Sequence, residues 1–303
     1  MSSIIENDKY INPLTDFGFK KLFGTELNKD LLIDFLNQIL PKNKKVKDLV
    51  YSSTDKTGAT KKDRKAIFDL YCTSPQGDRF IVEMQKAKQT YFKDRSVFYS
   101  TFPIQEQAER GDWNFKLNPV YSIGVLDFEF DDEPSDKENI SLHHIIELKN
   151  QKGEVFYDKL KFVYLELPKF TKKVEELKTR YEKWLYVLRH LSDLQERPKA
   201  LQERVFNKLF QAAEIANFSK EEKEAYEESL KHYRDIKNVV DSSKEEGRLE
   251  GIEQGIEQGK VKESDENVKN GILKGYSDEI ISDITGRNIE DIQRIREEMN
   301  TNQ

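Results

Sequence analysis

Pro119-Val120-Tyr121-Ser122-Ile123-Gly124-Val125-Leu126 is an almost unbroken apolar run of strand length. Such a strand is buried on both faces, and the sheet that holds it needs cover on both sides. The preceding segments supply neighbours. Ala66–Cys72 and Arg79–Gln85 read as strands joined by the turn chemistry of Ser74-Pro75-Gln76-Gly77-Asp78. A helix is expected from about Gln89 to Phe102, interrupted by Pro103, and further strands over Leu142–Leu148 and Leu160–Leu167. Upstream, Asn12–Gly24 reads as a short helix, and Asn28 caps a stronger one that stops at Pro41. From Thr171 the spacing turns helical, through Val174, Leu177, Tyr181, Trp184, Leu185 and Leu188, and Ser219-Lys220-Glu221-Glu222 has the form of a capping box. The expected class is α/β, a mixed sheet flanked by helices and followed by a helical C-terminal region.

Composition narrows the function classes. Of the 303 residues, 36% are hydrophobic and 35% charged, and no stretch approaches the roughly 18 apolar residues of a membrane span. The chain holds 18 Phe, 13 Tyr and 2 Trp, which argues against disorder. Cys72 is the lone cysteine, so disulfide scaffolds and Cys-rich zinc sites are excluded. His143, His144, His190 and His232 lack zinc-motif spacing. Met1–Tyr10 lacks an apolar signal core, and a cytoplasmic setting is expected. Net charge is −6, split as +3 over residues 1–127 and −9 over the remainder, which argues against broad electrostatic binding of nucleic acid. Two basic runs, Lys42–Lys47 and Lys56–Lys65, are either solvated loops or a local basic surface.

Four regions are expected: a core over 1–170, a helical region over 171–243 packed on or beside it, a glycine-repeat helix or linker over 244–263, and a helical hairpin over 264–303. In the third, Gly247, Gly251, Gly255 and Gly259 recur every four residues, at a cost of about 1 kcal/mol each against alanine in a helix. Close helix–helix approach along that stripe would compensate; the alternative is a fraying linker. In the hairpin, Ile280, Ile281 and Ile284 face Ile289, Ile292 and Ile295 across Thr285-Gly286-Arg287-Asn288. A packing module is favoured over a DNA-reading pair because the second helix is acid-rich.

Chemistry concentrates around two acids. Asp69, mid-strand, points away from the face that Phe68 and Leu70 bury, and Glu83 shares a face with Ile81 and Gln85 on the next strand. Paired as a hairpin, the two carboxylates converge into a site for Mg²⁺, which takes one or two protein carboxylates plus water and phosphate oxygens. The bland alternative is a pair of acids on a solvent face. Lys88, Phe92, Arg95 and Tyr99 fall on one helical stripe, where Arg95 offers a planar fork for phosphate.

The pattern Asp69-x(13)-Glu83-x-Gln85 resembles the core of the PD-(D/E)xK nucleases. Thr15-Asp16-Phe17-Gly18-Phe19-Lys20-Lys21-Leu22-Phe23-Gly24 resembles the opening signature of the Rpn-type recombination-promoting nuclease and transposase family within that superfamily. Phe68–Tyr71, Phe80–Gln85, Asp94–Tyr99, Pro119–Ile123 and the glycine-repeat tail agree with it. The resemblance implies a restriction-endonuclease-like core, a bacterial origin and metal-dependent cleavage of DNA. Carried over residue by residue, it makes Asp69 and Glu83 the metal ligands and puts Gln85 where the superfamily's lysine stands. A glutamine orients water but brings no charge. Lys65 and Lys88 are candidates for the missing charge, and Lys65, Lys88, Arg95 and Tyr99 for holding DNA. Asp16 is either an additional acidic member or a helix N-cap. Self-association through the C-terminal helices is a further expectation. Two rivals remain: a non-catalytic nucleic-acid-binding protein that kept the fold, and a scaffold that works through the region from Thr171 onward.

Overall fold

The computed structural model describes residues 8–56, 66–109, 111–130 and 141–301. Two short helices open the chain, α1 (Asp16–Phe23) and α2 (Lys29–Ile39). Strands β1 (Val50–Tyr51), β2 (Asp55–Lys56), β3 (Ala66–Ile67), β4 (Leu70–Thr73) and β5 (Arg79–Gln85) follow. After α3 (Phe92–Gln105) come β6 (Val120–Leu126), β7 (His143–Lys149) and β8 (Val155–Glu166). The rest is helical: α4 (Arg180–His190), α5 (Arg204–Ala213), α6 (Lys220–Leu273), α7 (Asp278–Thr285) and α8 (Ile289–Thr301).

Six strands form one mixed sheet in the order β1-β4-β5-β6-β8-β7, while β2 and β3 make a separate ribbon. Strand β5 pairs antiparallel with β4 and parallel with β6, which pairs parallel with β8. Every residue of β6 is buried, as its apolar run requires. One face of the sheet, with Phe80, Val82, Ile123, Val125 and Leu165, packs on Phe19, Phe35, Trp184, Phe206 and Tyr226 from the helices before and after it. The other face carries α3, through Tyr99 and Phe102 against Phe68, Tyr71 and Ile81, and through Phe92 against Leu126, Phe162 and Tyr164. The mixed sheet flanked by helices that the sequence implies is therefore present.

The chain divides into two compact units, 1–237 and 238–303. In the first, three side chains of α6 tie down the N-terminal segment and a strand end. The Tyr226 and Ser229 hydroxyls accept from the Asn12 and Phe17 N–H groups, and the Tyr233 hydroxyl donates to Asp127 at 2.7 Å. In the second, Val268, Ile281, Ile292 and Ile295 form a small core, whereas Ile280, Ile284 and Ile289 are exposed. Gly286, at φ 69°, ends α7 in the left-handed conformation that glycine adopts without strain. Gly247, Gly251, Gly255 and Gly259 lie within α6, and a Cβ at any of them would meet open space.

Several local expectations are corrected. The strand expected over Ala66–Cys72 is broken at Phe68–Asp69, so Phe68 and Leu70 bury on opposite faces rather than the same one. Helix α3 starts at Phe92 and runs through Pro103 to Gln105, which leaves Lys88 off the helix. Proline so near the last turn removes a single ladder bond. The N-cap of α1 is Thr15, whose hydroxyl accepts from the Gly18 N–H at 3.0 Å, and Asp16 is the first helical residue. Asn28 makes no cap bond; its side chain donates instead to the Lys21 carbonyl. Helix α4 begins only at Arg180, where Thr179 and Glu182 form a capping box.

Candidate active site

The register of β4 and β5 builds the site. Leu70 pairs with Val82 and Tyr71 with Ile81. One step further, the bend at Asp69 faces Glu83. There Asp69 Oδ2 accepts from the Met84 N–H at 2.7 Å. The backbone break at 68–69 thus turns the carboxylate onto the end of β5 instead of leaving it on a solvent face.

Glu83 is held by two side chains. Gln85 Nε2 donates to its Oε2 at 3.2 Å, and Arg95 Nη2 lies 3.4 Å from the same oxygen. Across the sheet stands Gly124, where a Cβ would come within 2.9 Å of the Tyr164 ring, so the missing side chain lets that ring lie close. Only 13% of the Glu83 side chain is exposed. Burial first, then the Asp69 charge, pushes Glu83 up to about 7 against the pull of Arg95. Burial also raises Asp69, opposed by the Met84 N–H and reinforced by Asp16. Two partly buried carboxylates therefore lie close together, with Arg95 against Glu83 and the charges of Lys20 and Lys86 acting on Asp69.

The guanidinium of Arg95 also bonds Gln89 and lies 5.2 Å from the centre of the Tyr99 ring. The structure thus brings together Asp69, Glu83, Gln85, Arg95 and Tyr99. Asp16 is exposed in an ion pair with Lys20 and acts electrostatically on Asp69. Lys88 is exposed and lines a different cleft, beside Phe92 and Lys93. Lys65, with the rest of the run from Lys61, lies outside the described residues.

Lys86 was not among the sequence candidates. It sits in the bend directly after β5, half-buried, with its pKa lowered by burial while Asp16 and Asp69 act in the opposite sense. It lines a cleft of about 720 Å³ with Asp16, Lys20, Glu228 and His232. The pattern Asp69-x(13)-Glu83-x-Gln85 stops one residue short of Lys86.

Among the described residues no group of three or more His, Cys, Asp or Glu side chains is placed to hold a metal ion. The Asp69–Glu83 pair is the smaller donor set that Mg²⁺ takes, hard oxygens completed by water. Burial and then the Asp69 charge lift Glu83, and a bound cation would favour the ionised form of both acids, so these residues fit a divalent ion.

Sheet and helices together define the architecture of the PD-(D/E)XK nucleases, a class that generally works with divalent metals on DNA. The family model described as PD-(D/E)XK nuclease family transposase matches residues 13–243, and the chain belongs to that family. No curated protein and no solved structure matches it. Among the described residues no helix is long and apolar enough to cross a membrane.

Proposed function

We propose that the protein is a divalent-metal-dependent DNA endonuclease whose metal is held by Asp69 and Glu83. The observation that carries this reading is the partly buried pair of carboxylates where the bend before β4 meets the end of β5, with Asp69 on the Met84 N–H and its charge felt by Glu83. Mg²⁺ is the expected ion. Bound there, it would lower the pKa of a water molecule and neutralise charge on the phosphodiester. Gln85 orients the attacking water through its amide, and its bond to Glu83 Oε2 fixes the amide's position. Lys86, beside Asp69, brings the positive charge that Gln85 lacks. Arg95 and Tyr99 line the approach to Glu83, with the Arg95 fork suited to a phosphate of the bound strand. Backbone contacts of this kind position DNA without reading it, so cleavage has low sequence specificity. Recombination, mobile elements and phage defence are the biological settings that suit such an enzyme.

The test incubates purified protein with supercoiled plasmid, in Mg²⁺ or in EDTA, beside Asp69→Ala and Glu83→Ala. Metal-dependent nicking that both substitutions abolish is the expected result. Equal cutting by wild type and variants would sink the assignment. A folded protein that binds DNA and never cuts, across several metals, would instead be a binding protein on a nuclease fold, the alternative that Gln85 in the lysine position favours.

A further inference from the structure

The segment Gln89–Asp94, where the chain enters α3, has a cleft on each side. One, of about 600 Å³, is lined by Tyr91, Arg95, Phe98 and Tyr99. The other, of about 690 Å³, is lined by Lys88, Phe92, Lys93, Phe128 and Phe130. Gln89, Thr90 and Asp94 belong to both, so the clefts adjoin. Their aromatic rings are not all spent on the core. Tyr91 is 73% exposed and Phe98 45%. Phe128 and Phe130 are only partly buried, and Lys93 Nζ stands 5.2 Å from the centre of the Phe130 ring. Arg95, which lines the first cleft, lies 3.4 Å from Glu83.

Exposed rings interleaved with cations, continuous with a phosphodiester-cleaving centre, suit one chemistry. Aromatic faces stack on unpaired bases, and Lys or Arg beside them neutralises the linking phosphates. Bases in an intact duplex are stacked on one another and cannot enter such clefts. Resting on the nuclease reading, we infer that the two clefts receive successive unpaired bases of a DNA strand, so that the preferred substrate is a single-stranded segment: an overhang, a flap or a melted bubble. Tyr91 and Phe98 stack a base on the Glu83 side, and Phe128 and Phe130 take one across the 89–94 ridge.

Binding tests this separately from cleavage. Fluorescence anisotropy is measured in EDTA at physiological salt on the full chain, with a labelled oligothymidylate of about 20 nucleotides and a duplex of the same length. The strand is expected to bind at least about tenfold more tightly than the duplex. Tyr91→Ala and Phe98→Ala each weaken strand binding by about five- to a hundredfold, and Tyr91→Phe, which keeps the ring, restores it. Phe128→Leu, which keeps an apolar side chain at this partly buried position but removes the ring, is expected to weaken strand binding likewise. Equal affinity for strand and duplex, or wild-type strand affinity in Tyr91→Ala, would overturn the inference. A protein that binds strand through Tyr91 but never cuts leaves the inference standing and removes the endonuclease reading. One that nicks plasmid in Mg²⁺ yet shows no strand preference does the reverse.

Discussion

Glu83 is a residue that the fold holds at a disadvantage. Its carboxyl titrates near 7 in the native protein, against the ordinary 4.5, because burial and Asp69 both oppose its charge. The native state therefore holds a proton that the unfolded chain has already released between those two values. The corresponding stability is fully present below about 4.5 and is lost as pH rises through about 7, by at most about 3 kcal/mol. Glu83→Gln removes the penalty. Without metal it should melt at a higher temperature than wild type at pH 8 and at the same temperature near pH 4, and it should not cut DNA. Equal melting temperatures at pH 8 would mean that the Glu83 charge is already compensated. Metal must displace that proton, so apparent Mg²⁺ affinity should rise about tenfold per pH unit below 7 and level off above it, as calorimetry can follow. Lys86→Ala should lower the cleavage rate by about 10²-fold or more without loss of fold, if its charge stands in for the missing lysine. Unchanged turnover would return that role to Gln85 alone.

At the scale of elements, the opening signature has a packing reason. A Cβ on Gly18 would come within 2.1 Å of the Asn12 carbonyl oxygen and 2.7 Å of the Thr15 hydroxyl. Glycine there lets the first turn of α1 close onto the loop that Thr15 caps. Gly18→Ala should cost about 1–3 kcal/mol in urea unfolding. It should also shift Asp16 and Lys20, which share the Lys86 cleft, and so reduce cleavage beyond the stability loss. Much of the sheet is legible in the sequence because β5 and β6 are long, apolar and β-branched, and the Asp69–Glu83 pairing follows from a hairpin register counted through one turn. The break at Phe68–Asp69 is not legible, since Ala66–Cys72 reads as continuous strand and only the separate β2–β3 ribbon pulls it apart. Helical spacing alone does not show that Tyr99 and Phe102 fill the space against Phe68 while Phe98 stays exposed. Lys86 escapes for a similar reason: it acts from a bend, where no periodicity says which way a side chain points.

The first unit is built so that its C-terminal helices complete its N-terminal one. Tyr226, Ser229 and Tyr233 anchor Asn12, Phe17 and Asp127, and Trp184 donates to Asp34 at 2.7 Å from within a core that includes Phe23 and Phe35. A cut after residue 170, where the strands end, would strip the cover from Phe19, Phe23 and Phe35 and remove the hydrogen-bond partners of the segment that leads into α1. A cut after residue 243, where the family match ends, keeps every one of these contacts and falls past the first compact unit. The chain of residues 1–243 should therefore retain native circular dichroism, cooperative melting and metal-dependent nicking, while that of residues 1–170 should be insoluble or molten. A soluble, active chain of residues 1–170 would show that the helices after 171 only decorate the core. Loss of activity on removing 244–303 from a chain that still melts cooperatively would instead tie cleavage to self-association through the exposed Leu249, Ile252 and Ile256 of α6, with size-exclusion chromatography of the two chains as the deciding measurement.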